Sequence, residues 1–227
     1  MKLKLLLATV LALLSLSTFA AQFSKVQADQ VPSGMPYNIK MPPVTDRDQF
    51  TGKRIAILAS HGVEEPEITL PYQYLTERGA QVDIVVPSWT PQGIVISLFL
   101  MPHLWVTADK TFTTATNETY DLLILTGGAW NSQVVKSDSE ALQLINKHYA
   151  AGRPLAAICA GTEVLISAGL IKGLTVTGPS YARTNLVNAG AIVQDHPAVI
   201  SDGILTSRDP NDIPSFVAGI DYLLSDM

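Results

Sequence analysis

The stretch Leu155-Ala156-Ala157-Ile158-Cys159-Ala160-Gly161-Thr162-Glu163-Val164-Leu165-Ile166-Ser167-Ala168-Gly169 decides the fold. Leu155 to Ile158 is a short apolar run of the kind buried on both faces of a parallel sheet, and Val164 to Gly169 reads as apolar helix. Between them lies Cys159-Ala160-Gly161-Thr162, and the small residues Ala157, Ala160 and Gly161 leave room for a sharp strand-to-helix elbow that holds a nucleophile in strained backbone. Outward from this unit the same rhythm repeats. Arg54 to Ala59, Val82 to Val86 and Asp121 to Leu125 read as buried strands, with shorter strands at Leu174 to Thr177, Ala191 to Val193 and Ile204 to Ser207. Helices are predicted from about Pro66, with Ile68, Pro71, Tyr72 and Leu75 on related faces and Gly79 as C-cap. A second runs from Asp138 to Ala151, capped by Ser137 or Asp138 and closed by Gly152, and the last from about Ile213 to Leu224. Strands separated by helices predict an α/β fold, a three-layer sandwich around a doubly wound, mostly parallel sheet.

The remaining composition narrows the function. The chain has 227 residues with 15 basic and 20 acidic side chains, and no Lys/Arg cluster. It therefore lacks the positive footprint that binding nucleic acid requires. A single cysteine rules out an internal disulfide, and the four histidines show no zinc-site spacing, so no structural metal is expected. Lys2 and Lys4 precede the run Leu5 to Leu14, and small residues follow through Ala20 and Ala21, which reads as a secretory signal peptide over residues 1–20. The run is about half the ~20 apolar residues that a transmembrane helix needs. An exported protein, periplasmic or secreted, without stable membrane insertion after signal removal, is the expectation. Residues 21–52, with Pro32, Pro36, Pro42, Pro43 and Gly34, read as an irregular N-terminal arm that can dock through Met35, Tyr37, Ile39 and Met41. The α/β domain is expected over residues 53–227. Its rhythm breaks between Pro87 and Thr119, where Ile94 to Met101 is uncharged and apolar. That segment is read as a strand or hairpin packed on the core or on a second subunit.

Ligands of open α/β sheets collect at the carboxyl ends of the strands. Cys159 ends one strand and precedes a helix, whose N-terminus is expected to lower the thiol pKa. Gly127-Gly128 follows the Asp121 to Leu125 strand, and the amides of Gly128 and Ala160 are candidates for an oxyanion hole. His61-Gly62-Val63-Glu64-Glu65-Pro66-Glu67 follows the first strand. A carboxyl group facing the thiol helps only when protonated, because a carboxylate would raise the thiol pKa.

Taken together, Gly62 to Glu67, Thr126-Gly127-Gly128, Ala157 to Gly161 and Thr206-Ser207-Arg208-Asp209-Pro210 resemble the ThiJ/PfpI family, the superfamily of the Parkinson-disease protein deglycase. The resemblance runs from about residue 53 to 227. It implies a flavodoxin-like, class I glutamine-amidotransferase-like fold, a homodimer and no cofactor. It also implies that Glu67 is the protonated acid bonded to Cys159, with Glu64 nearby and backbone amides from Gly128 and Ala160. This chain departs from the family where many members carry histidine directly after the cysteine, having Ala160 there, and where others take one from the segment after the next strand, here Thr177-Gly178-Pro179-Ser180-Tyr181. His61 and His103 are the remaining candidates for a base, while His148 and His196 are expected elsewhere. The catalytic set is thus Cys159, Glu67, Glu64 and His61. The expected activity is glyoxalase- or deglycase-like, a lyase or hydrolase reaction on a small reactive carbonyl or a modified protein side chain through a hemithioacetal on Cys159. The alternative is a non-catalytic redox-sensing, stress-protective thiol. A peptidase or amidase suffers from the missing histidine, and no downstream His-x-Glu pair of an amidotransferase is found.

Overall fold

The structure, a computed structural model, describes residues 37–225. The proposed signal peptide and the first part of the arm lie outside the described residues. From Tyr37 to Gly52 the arm has neither helix nor strand.

The parallel strands β1 (Arg54–Leu58), β2 (Gln81–Val86), β6 (Leu122–Leu125), β7 (Leu155–Ile158) and β11 (Ile204–Ser207) form the centre of a seven-stranded sheet. Its edges are β5 (Lys110–Thr111) and β10 (Ala198–Ser201), in the order β10-β11-β7-β6-β1-β2-β5, and only β10 is antiparallel to its neighbour. β1, β6 and β7 carry near-continuous apolar runs, and β11 is buried throughout, because both faces are covered. Alternate side chains enter two cores. Ile55 and Ile57 meet α1 (Glu65–Thr76) and α7 (Ile213–Ser225) on one face. Ala56 and Leu58 meet α2 (Phe112–Ala115), α4 (Ser139–Ala150), α5 (Thr162–Ser167) and α6 (Arg183–Asn188) on the other. This is the three-layer, doubly wound sandwich the alternation predicts. Asp138 caps α4, its carboxylate accepting from the Glu140 and Ala141 amides at 2.9 and 3.1 Å.

Several segments depart from the local reading, among them α2, α6 and β5, which the sequence does not predict. β8 (Thr175–Val176) and β9 (Ile192–Val193) pair with each other in a small separate sheet. β10, a four-residue strand half-exposed at an edge, is not among the strands predicted from the sequence. The interruption at 87–119 holds a hairpin of β3 (Gly93–Leu98) and β4 (Met101–Thr107), followed by β5 and α2. Ile94 and Ile96 reach the core of their own chain, whereas Phe99, Leu100 and Met101 at the turn are exposed. The hairpin is sewn to the loop after β1, since the Gly62 amide donates to Val95 O (2.8 Å) and the Ser97 amide to Val63 O (2.7 Å).

β1 and β6 are adjacent although far apart in sequence, and their connections leave on opposite faces. That topological switch, at the carboxyl ends of β1, β6 and β7, is where open α/β sheets place their ligands. Phe216 on α7 is fully buried in the core beneath it. Phe216→Ala should lower the unfolding free energy by roughly 3–5 kcal/mol, read as a fall in the urea midpoint.

Candidate active site

β7 leads straight into the elbow. Ile158 is extended, Cys159 adopts φ 55°, and a single 3-10 turn, Cys159–Gly161, precedes α5. A positive φ is costly for a residue with a β-carbon. The Thr162 hydroxyl helps hold the turn by donating to Cys159 O at 2.7 Å. Gly161 lies against β6, where a β-carbon would stand 2.2 Å from Leu125 O. Gly127 is as constrained, because a β-carbon there would meet Glu67 Oε2 at 2.6 Å and Cys159 Cβ at 2.7 Å. The turn carrying Gly127 is pinned by buried Asn131, whose Nδ2 donates to Thr126 O and Gly127 O, both at 2.8 Å, while its Oδ1 accepts from the Ser60 amide. Such small residues admit three strand ends to one place.

Glu67, in the first turn of α1, is fully buried, and its Oε2 accepts from the Gly127 amide. Oε1 is buried and has no hydrogen-bond partner of normal geometry. Burial pushes the Glu67 carboxyl up to about 8, so it holds a proton at neutral pH. With Oε2 occupied as an acceptor, that proton belongs on Oε1. The Cys159 thiol lies near enough for the two groups to shift each other's titration. Burial pushes the thiol well above its ordinary range, and negative charge on Glu67 pushes in the same direction. The Ala160 amide and Tyr181 oppose this without prevailing. The expectation of a depressed thiol pKa is thereby corrected. α5 has six residues and begins behind a 3-10 turn, so its end supplies too little positive potential to offset desolvation of the sulfur.

Among the other candidates, Ala160 brings its amide to the sulfur. Gly128, at φ 95°, begins α3 (Ala129–Val135) and packs beneath the loop after β1, where a β-carbon would stand 2.3 Å from Gly62 O. Glu64 is buried at the N-cap of α1, and burial raises its pKa. Its Oε1 accepts from the Phe99 amide and the Tyr37 hydroxyl, both at 3.0 Å, so it ties the hairpin turn and the arm to the site's edge. His61 faces the hairpin. Its Nδ1 accepts from the Val95 amide at 2.9 Å, and its ring lies against Trp89 and Trp105. The Nδ1 lone pair is therefore already engaged. His103 pairs with buried Glu65. His148 bonds Pro154 O, and burial pushes its pKa down to about 4, while His196 is exposed.

Sequence reading missed Tyr181. Its hydroxyl lies 3.5 Å from Cys159 Sγ, and the ring is exposed. Burial of the hydroxyl and the neighbouring sulfur push its pKa up, keeping it a neutral donor and acceptor. The signal was present in 177–181, the segment searched only for histidine. Among the described residues, no three His, Cys, Asp or Glu side chains come together to hold a metal ion, and no helix is long and apolar enough to cross a membrane.

Comparison with known proteins places these features in a lineage, because the family described as DJ-1/PfpI matches residues 53–220. The chain belongs to the DJ-1/PfpI family. It is 30% identical to "Deglycase PfpI" of Pyrococcus furiosus, over 70% of this chain and 92% of that protein. It is 29% identical to "General stress protein 18" of Bacillus subtilis, over 73% of this chain and 94% of that protein. Among solved structures it resembles a two-domain Anabaena variabilis protein with DJ-1/ThiJ/PfpI-like and ferritin-like domains, with TM-score 0.69 and 27% identity over 76% of this chain and 48% of the other. Membership supports an enzymatic or stress-protective role at the level of the family.

Two outcomes follow from the buried acid and thiol. The native state binds a proton on Glu67 that the unfolded chain has released between the ordinary carboxyl range and about pH 8. Stability should fall as pH rises through that window, and Glu67→Gln should flatten the slope in urea titrations at a series of pH values. Iodoacetamide capture of Cys159 should be slow at neutral pH and accelerate only in alkaline solution. Glu67→Gln, which removes the facing charge, should move the onset to lower pH.

Proposed function

We propose that the protein is a cysteine-dependent enzyme acting on reactive carbonyls, of glyoxalase or deglycase type, with a 2-oxoaldehyde or its early adduct on a protein side chain as substrate. The observation that carries this reading is the set of neutral proton-bearing groups around one nucleophile held at φ 55°: Tyr181 at Sγ and the buried acid Glu67 behind it.

A neutral thiol can add to an aldehyde without first becoming a free anion. Sγ forms a bond to the carbonyl carbon as the C=O π bond breaks. The thiol proton passes to the Tyr181 hydroxyl, which gives its own to the carbonyl oxygen, leaving a neutral hemithioacetal. Tyr181 thereby supplies the relay that histidine would provide in other members. The amides of Ala160 and Gly128 stabilise charge building on that oxygen, each such donor being worth about 3 kcal/mol where one has been removed. Glu67, protonated, spares the sulfur a facing carboxylate. The reading includes export to the periplasm or beyond, supported by the signal-like first twenty residues, and a homodimeric unit, supported by the family resemblance.

Methylglyoxal turnover should vanish in Cys159→Ser, and undiminished turnover in that variant rejects the proposal. Tyr181→Phe should lower kcat by roughly a hundredfold, the low end of what positioned acid–base groups contribute, with little change in KM.

A further inference from the structure

The family match begins at residue 53, yet the arm before it reaches the edge of the thiol site. It is fastened at two ends of α1. Just past the C-terminal end of that helix, the Arg78 side chain is buried, its guanidinium 3.6 Å from the Tyr74 ring centre. It donates to Tyr74 O (3.0 Å), Pro43 O (2.8 Å) and Pro42 O (3.4 Å). At the N-terminal end, the Tyr37 hydroxyl donates to Glu64 Oε1. α1 has twelve residues and is about 18 Å long. The six steps from Tyr37 to Pro43 span at most ~20 Å when extended, so the arm runs nearly stretched along the helix. Its burial alternates accordingly. Tyr37, Ile39 and Met41 are half-buried, whereas Asn38, Lys40 and Pro42 are exposed, and Ile39 and Met41 pack on the core.

Three separate pieces of chain then meet at one carboxylate oxygen. Glu64 Oε1 accepts from the arm through Tyr37 and from the hairpin turn through the Phe99 amide. The Tyr37 ring stacks on Phe99 with centroids 5.3 Å apart. Phe99 and Leu100 hold φ of 50° and 66°, a turn more often made with Asn or Gly. Glu64 precedes Glu67 by one helical turn, and the Tyr37 hydroxyl lies close enough to Glu67 and Cys159 to interact with them electrostatically.

We infer that Tyr37 is a specificity-determining residue, contributed by the arm, that walls the Glu64 side of the Cys159 site and restricts it to small carbonyl groups. The inference rests on Cys159 as the reacting group in the proposed function, but its test requires no turnover. Cys159 is the chain's one cysteine, so thiol labelling of the whole protein reads this site alone.

The test compares labelling rates with N-methylmaleimide and the bulkier fluorescein maleimide, in mildly alkaline solution. Tyr37→Ala should raise the bulky-to-small rate ratio about tenfold, the lower range of what a pocket wall contributes to size discrimination. Tyr37→Trp should lower that ratio. No change in the ratio in either variant, or equal changes with both reagents, overturns the inference. Loss of methylglyoxal turnover as an activity would leave the labelling result standing, so the two readings fail separately.

Discussion

A left-handed backbone at Cys159 is the constraint on which the site depends. Holding a non-glycine residue at φ 55° costs on the order of 1–2 kcal/mol, and the surroundings must make every other conformation worse. β7 feeds the chain in fully extended, the Thr162 hydroxyl closes the turn, and Gly161 presses the elbow against the end of β6. Gly127 completes the arrangement from the neighbouring strand, where a β-carbon would displace either the cysteine or the acid facing it. The strained cysteine and the two glycines are therefore one feature, distributed over two parallel strands and a helix start.

The same crowding sets the electrostatics. Packing that brings Glu67 and Cys159 together also strips water from them, and desolvation disfavours both charged forms. A short helix behind a 3-10 turn cannot reverse that balance. The resting site holds its protons, and in the proposed reaction they move in step with bond formation. A phenol at the sulfur suits that requirement better than a permanently ionised partner, because a neutral hydroxyl can accept one proton while donating another.

Around this centre the chain adds parts that the central sheet does not require. The hairpin takes over His61 as a structural residue, its Nδ1 satisfying the Val95 amide. Glu64 serves the hairpin and the arm with one oxygen. Both additions converge at the start of α1, the helix that carries Glu67, so the edge of the site is built from segments outside the sheet.

The main alternation of strands and helices, the elbow and the three motif segments at strand ends were legible in the sequence. They rest on local patterns: apolar runs, caps, and small residues where a turn must be tight. Tertiary structure alone decided which strands share a sheet, setting β8 and β9 apart and adding β10 at an edge. It also turned His61 to the hairpin and brought Tyr181 to a sulfur 22 positions earlier, and Glu67 to an amide 60 positions later. The thiol's pKa belongs to this second group. A helix start can be read from neighbouring residues, whereas the water excluded from a sulfur depends on every segment that folds over it.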